Sequence, residues 1–306
     1  MRNKAVDYAV CVLVRMLICM VQAMRIETGA RLARGLAWVF CDVLRLRGAV
    51  VEENLVHAFP EMSAERRRKL TRQMWEHLFL LVLEVAHAPR KIHKTNWRDY
   101  VELRGQALLM RLLLADQPTL ITTAHFGNFE VAGYVLGLLG FPTHTVAREL
   151  DNRYLDHYVN QFRESTGQYI IQKNGGYDDI ERVLGRGGTM TFLADQYAGP
   201  KGCWVAFFGR PASAHKAIAL LAMEHKAPAV VSYAVRTGQP LHFLLATYAV
   251  ADPRMGGEEC ASVKALTQWY TSRLEEIIRM TPGQYWWLHR RWKDTRAPKR
   301  STKKAA

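Results

Sequence analysis

Residues 8–24 read YAVCVLVRMLICMVQAM, an apolar run broken by Arg15. Its 17 residues fall short of the roughly 20 that a perpendicular membrane span requires. On a helix of about 100° per residue, Lys4, Asp7, Arg15, Gln22 and Arg25 fall within roughly 80° of one another. The rest of the circumference is apolar. Such a helix lies in a membrane interface, or enters the bilayer obliquely with Arg15 snorkelling. The other reading buries it in a soluble core with the polar stripe toward water. No small-residue cleavage site of a secretory signal follows it. The membrane reading makes residues 1–28 an anchor, with Gly29 ending the helix or opening the next turn.

Beyond Gly29 the pattern stays helical for about seventy residues. Residues 30–47 form a second helix carrying Arg31, Arg34, Arg45 and Arg47. A long amphipathic helix follows, with Ser63 as its N-cap. On it Leu70, Met74, His77, Leu78, Leu81 and Val85 recur at helical spacing, and Pro89 is expected to stop it. From about residue 100 short β-rich runs alternate with helical segments. TLITTA, THTVAR, QYIIQ, TMTFLA, APAVVSYAVR and LHFLLATYAV read as strands. Helices are predicted over 129–139, 151–165, 214–226 and 258–280, with a further one in GYDDIERVLGRGG. This alternation predicts an α/β fold, a three-layer αβα sheet domain behind a helical N-terminal region. Residues 29–298 form one domain, helical over 29–98 and α/β over 99–298, and residues 299–306 are a basic tail.

Charge adds a partner class. The chain has 42 Lys and Arg against 28 Asp and Glu, a formal net charge of +14. From Arg290 to Ala306 eight basic residues face one acid, so that end carries half of the excess. A basic surface attracts nucleic acid, anionic lipid or an acidic protein, and no nucleic-acid-binding motif is present. The five cysteines are odd in number and have no CxxC spacing, so neither a disulfide framework nor a zinc site is expected.

The candidate chemistry follows the first predicted strand, at HFGNFE. His125 and Glu130 are five residues apart, a spacing that points the two side chains apart on a continuous helix. They meet only if Gly127 and Asn128 turn the chain between them. In that arrangement Glu130 holds one ring nitrogen, and the other takes a proton from an attacking hydroxyl. Taken alone, the pair reads equally well as a satisfied core histidine.

Five blocks in order resemble the bacterial lipid A biosynthesis acyltransferase family, within the wider lysophospholipid/glycerolipid acyltransferase superfamily. The resemblance spans nearly the whole chain. It includes the apolar N-terminus with ENLVHAFPEMSAERRRKL, and HFGNFE with Phe129 where tryptophan is common. TVARELDNRYLDHYVNQFRESTG carries Arg148, Asn152 and Arg163, and FLADQ followed by VAFFGRPA carries Asp195, Gln196, Phe208 and Gly209. TPGQYWWLHRRWKDTR carries Trp287, His289, Arg290, Arg291 and Lys293. The resemblance implies an acyl–acyl carrier protein donor, a glycolipid acceptor hydroxyl, no metal, and the cytoplasmic face of the inner membrane. It implies His125 as base, Glu130 as its partner, and no covalent acyl-enzyme.

The remaining candidates bind substrate. Arg148, at a strand end, suits a phosphate through its planar fork, or else pairs with Glu149 or Asp151. Asp195 orients substrate or Arg148, or caps a turn. Phe208 and Gly209 place backbone donors for an oxyanion hole, or form a packed turn. Trp286, Trp287 and Trp292 among basic residues resemble an interfacial belt. Arg163 is read as bracing the fold, and His144, His157, His215 and His225 as structural or surface residues. Two rivals are an acyl-coenzyme A-dependent enzyme acting on a lysophospholipid or phosphatidylinositol mannoside, and a non-catalytic basic membrane-binding protein.

Overall fold

The computed structural model describes residues 4–173 and 175–293. The basic residues from Arg296 to Lys304, and with them the 299–306 tail, lie outside that range.

Helix α1 (Lys4–Ala23) is followed by α2 (Ile26–Trp38), which runs into a π-helical turn over Val39–Val43. The break between α1 and α2 thus falls before Gly29, which lies inside α2. An added Cβ there would meet Leu83 at 2.6 Å, so the glycine allows close helix packing. Of α1, only Asp7 and Cys11 are buried. Its polar stripe faces the protein. Asn152 Nδ2 donates to the Asp7 carbonyl at 2.8 Å and Gln22 Nε2 to the Ala86 carbonyl at 2.9 Å. The Arg15 guanidinium lies over the Tyr158 ring. Val6, Tyr8, Val10, Leu13, Met16, Leu17 and Met20 are exposed. This is the reverse of a soluble core helix.

Helix α3 (Gly48–Ala58) leads to α4 (Ala64–Lys91), capped by the Ser63 hydroxyl, which accepts from Arg66 N–H. Helix α4 runs past Pro89, contrary to the expected stop. The proline sits in the last turn, where it removes one hydrogen bond, and Ile92 N–H still reaches the Ala88 carbonyl. Strand β1 (Val101–Arg104) and α5 (Gln106–Leu114) follow, both unforeseen. The alternating part then runs β2 (Thr119–Thr123), α6 (Phe129–Leu138), β3 (Thr143–Ala147), α7 (Arg153–Glu164), β4 (Gln168–Gln172), α8 (Tyr177–Gly185) and β5 (Thr189–Leu193). An antiparallel hairpin, β6 (Cys203–Phe207) and β7 (Arg210–Ala214), stands outside the main sheet. Helix α9 (Ala217–Glu224), β8 (Ala229–Arg236), β9 (Phe243–Ala251) and α10 (Val263–Met280) complete the chain's larger elements.

Among the described residues the main sheet has seven strands in the order β1-β9-β8-β2-β5-β3-β4. Strands β2, β3, β4, β5 and β8 run parallel, whereas β9 is antiparallel to β8 and carries β1 with it. Side chains alternate between two cores, as a strand covered on both faces requires. Leu244 and Ala246 join Ile218, Leu221 and Leu274 of α9 and α10. Phe243 and Leu245 join Val131, Tyr134 and Val135 of α6. Helices therefore cover both faces in three layers. The C-terminal ends of β2, β3 and β5 share one edge, where such sheets form ligand crevices.

Candidate active site

His125 stands two residues beyond β2, and Asp195 two beyond β5. The strands are in register at Thr123 and Leu193, so both side chains emerge at one level. His125 Nδ1 lies 2.9 Å from Asp195 Oδ1, and the same oxygen accepts the His125 backbone N–H at 3.1 Å. The carboxylate thereby fixes Nδ1 as the protonated nitrogen and leaves Nε2 with a lone pair. Gln196 Nε2 sits 3.4 Å from that lone pair. Trp286 and Phe129 flank the imidazole at ring-centroid distances of 5.0 and 5.3 Å.

Burial disfavours charge on the imidazole, but the Asp195 carboxylate, with a smaller contribution from Glu130, outweighs it and raises the His125 pKa. Burial likewise opposes ionisation of Asp195. The facing imidazole and the hydrogen bonds from His125 prevail, and the carboxyl pKa falls to about 2. Nearby His289 stays neutral, pushed by burial to about 4, and its Nε2 accepts the Tyr197 N–H at 3.0 Å.

The turn that presents His125 is built by its neighbours. Gly127 has φ +60°, and a Cβ on it would stand 1.8 Å from the Ala234 carbonyl oxygen. Only glycine fits that approach. Asn128 then caps α6, its Oδ1 accepting Val131 N–H at 3.1 Å.

Glu130 does not hold the imidazole. It sits in the first turn of α6, where it forms a two-pronged ion pair with Arg163 of α7. The expected His125–Glu130 hydrogen bond is thus replaced by His125–Asp195. Asp195 in turn neither holds Arg148 nor merely caps a turn. Arg148 follows β3 and pairs with Asp151 at 2.9 Å, its side chain 79% exposed. Phe208 and Gly209 lie in the β6–β7 turn, where Phe208 packs on Phe59, Trp287 and Trp292. The Phe208 N–H is already donated to Glu275 Oε2. The structure does not bring these two residues to His125, and the expected oxyanion donors are not there. Nor do the tryptophans form a belt. Trp287 is core, Trp286 packs on His125, and Trp292 stacks on Phe207.

A cavity of about 680 Å³ opens at this sheet edge. Its inner wall is apolar, with Ile121 and Leu245 of the sheet facing Leu109, Leu136, Leu139 and Phe141. Its polar lining includes His125, Glu130, Arg148, Arg163, Lys173, Gln196 and His215. An apolar slot with convergent polar groups suits an elongated apolar ligand with a polar head. Among the described residues, Glu181, Glu224 and His225 form a group with ligand atoms within 4.8 Å of one another. None of the three lines the cavity. His144 stacks on Tyr169.

A family model described as bacterial lipid A biosynthesis acyltransferase matches residues 2–294. The chain is 25% identical to the lipid A biosynthesis palmitoleoyltransferase of Escherichia coli over 82% of this chain and 80% of that protein. It is 23% identical to the lipid A biosynthesis lauroyltransferase of the same organism, over 86% and 84% respectively. It also matches the crystal structure of the 1-acyl-sn-glycerophosphate acyltransferase of Thermotoga maritima. There the identity is 13% and the TM-score 0.40, over 89% of this chain and 100% of that one.

Proposed function

This chain belongs to the bacterial lipid A biosynthesis acyltransferase family, and from that premise we propose that it moves a fatty acyl group from an acyl–acyl carrier protein thioester to a hydroxyl of an anionic lipid A precursor. Membership makes it an O-acyltransferase of lipid A biosynthesis, which removes the non-catalytic reading.

The observation that carries the mechanism is the His125–Asp195 pair, with His125 on the lining of a largely apolar cavity. The acyl chain lies along the apolar wall with its thioester carbonyl beside His125. The acceptor hydroxyl gives its proton to Nε2 as its oxygen bonds to the carbonyl carbon. Asp195 keeps the imidazole oriented and stabilises the imidazolium that forms. When the tetrahedral intermediate collapses the C–S bond breaks, and the proton on Nε2 passes to the departing thiolate. Gln196, beside Nε2, supplies a hydrogen-bond donor where the carbonyl oxygen becomes an anion. No step passes through a covalent acyl-enzyme.

Glu130 acts at one remove. Its charge supports the imidazolium, and its carboxylate holds Arg163 in the cavity wall. Arg148 and Lys173 on the lining are the cations that meet acceptor or donor phosphate. The exposed apolar face of α1 anchors residues 1–28 in the membrane. The face follows from the donor: the 29–298 domain stands on the cytoplasmic side of the inner membrane in this reading, where an acyl carrier protein donor meets its acceptor.

The test uses purified full-length protein, acyl–acyl carrier protein or acyl-coenzyme A, and a lipid A precursor, with the product read by mass spectrometry. The carrier-protein donor is expected to support transfer and His125→Ala to lose about 10²–10⁴-fold in rate. Transfer from coenzyme A alone, or a His125→Ala enzyme retaining more than about a tenth of the rate, would overturn the donor or the base assignment respectively.

A further inference from the structure

The turn bearing His125 rests on a buried polar network. The backbone of His125 and Gly127 bonds to other elements. Trp286 N–H donates to the His125 carbonyl at 3.0 Å, and Gly127 N–H donates to the Gln284 carbonyl at 2.9 Å. The Gly127 carbonyl is held by His77 Nε2 at 3.1 Å, from the middle of α4. Arg236 Nη1 lies 3.2 Å from His77 Nδ1. A neutral imidazole accepting from that guanidinium must carry its proton on Nε2, and so donates to Gly127. Arg236 also clasps Glu84, with Nη2 2.8 Å from Oε2 and Nε on Oε1. Glu84 Oε2 accepts from Asn128 Nδ2 at 2.9 Å, and Oε1 from Leu241 N–H at 3.2 Å. Glu84 is fully buried and His77 2% exposed.

Ion pairs this deep are expensive to desolvate, and replacing both partners by apolar groups is often neutral or stabilising. Stability alone therefore does not account for Glu84 and Arg236. What the network does is give the 125–128 turn one geometry from behind. His77 fixes the Gly127 carbonyl and Glu84 fixes the Asn128 amide, so Asn128 caps α6 with its oxygen. A shift of about 1 Å at a reacting group can cost 10²-fold in rate.

We propose that Glu84, Arg236 and His77 are positioning residues that hold the His125 turn in register with Asp195. The proposal rests on His125 being the base. The test compares steady-state kinetics and thermal midpoints of the full-length enzyme. The double replacement Glu84→Met with Arg236→Met removes both charges without leaving either unpaired. It leaves Asn128 Nδ2, Leu241 N–H and His77 Nδ1 without these partners, so its thermal midpoint is expected to fall, and the kinetics are read below that midpoint, where the variant is folded. Its kcat should fall at least about tenfold with KM changed less than about twofold, because the fault lies in alignment rather than binding. A folded double variant with wild-type kcat would overturn the proposal.

A second pair decides the matter even if that variant does not fold. His77→Gln retains a side-chain N–H for the Gly127 carbonyl, whereas His77→Leu does not. The glutamine variant is expected to keep at least about half of kcat and the leucine variant to lose about tenfold or more. Equal activity in the two, both folded, contradicts the proposal. His125→Ala in the same assay separates the readings. If it stays active the base assignment fails, whereas an inactive His125→Ala beside a fully active His77→Leu sinks the positioning role alone.

Discussion

At the scale of single residues, two carboxylates surround His125 where the sequence suggested one. Asp195 touches the imidazole, while Glu130 is bound to Arg163 and reaches His125 only through its charge. Glu130→Gln keeps the shape and removes that charge. It is expected to cost about 10-fold in kcat, less than the loss in His125→Ala, as parallel rate measurements will check. The role proposed for Arg148 is a more modest one. Its guanidinium is exposed and paired with Asp151, so its attraction for a phosphate is screened by salt. Arg148→Ala should raise the apparent KM for the acceptor several-fold, by an amount that shrinks as salt rises. A kinetic salt series reads this, and a loss in kcat that is constant with salt contradicts it. The glycine turn after a β-rich run in HFGNFE made His125 a candidate, and the family resemblance singled it out from a core histidine. The link to Asp195 was not legible. It spans 70 residues and depends on the pairing of β2 with β5, which no local pattern encodes. The displacement of Glu130 has the same origin, since once Gly127 turns the chain its carboxylate faces α7.

Among the elements, the parallel strands β2, β3, β4, β5 and β8 were readable as apolar runs between helices. Two of the strands missed were short or atypical. Val101–Arg104 has only four residues, and Arg210–Ala214 begins RPASA, whose proline and small side chains carry little β signal. Phe208 and Gly209 form the packed turn of the β6–β7 hairpin, the second of the two readings their sequence offered. The turn between β2 and α6 is the most constrained joint in the site. Gly127→Ala forces a Cβ against the Ala234 carbonyl at a positive φ. It should cost at least about 2 kcal/mol of stability, measured as a lowered denaturation midpoint, and a midpoint equal to wild type would show that the turn can relax. Helix α1 offers a different test. Its exposed apolar face should hold the protein on membranes, so deleting residues 1–25 is expected to move much of it into the supernatant after a high-salt wash. Complete retention in the pellet would place the anchor elsewhere.

For the whole molecule, one end of a mixed sheet gathers His125, Asp195, the Glu130–Arg163 ion pair and an apolar slot, in a chain of formal net charge +14. If the donor is the proposed acidic carrier protein, that charge steers its approach, and the transfer rate should fall as salt shortens the Debye length. The pH dependence of the reaction tests the central claim that His125, oriented by Asp195, removes the hydroxyl proton. Only the neutral imidazole can accept it, and Asp195 holds the His125 pKa above its ordinary 6.5. The transfer rate should therefore climb as pH rises through a midpoint above that value. In Asp195→Asn the imidazolium loses its counter-charge, so the midpoint should move to lower pH. The plateau should also drop by about 10²–10⁴-fold, because the ring is no longer fixed in the right tautomer. The decisive measurement is the single-turnover rate of both enzymes across pH 5 to about 9. A displaced midpoint with a lowered plateau is the result expected. Coincident profiles for wild type and Asp195→Asn would contradict the account.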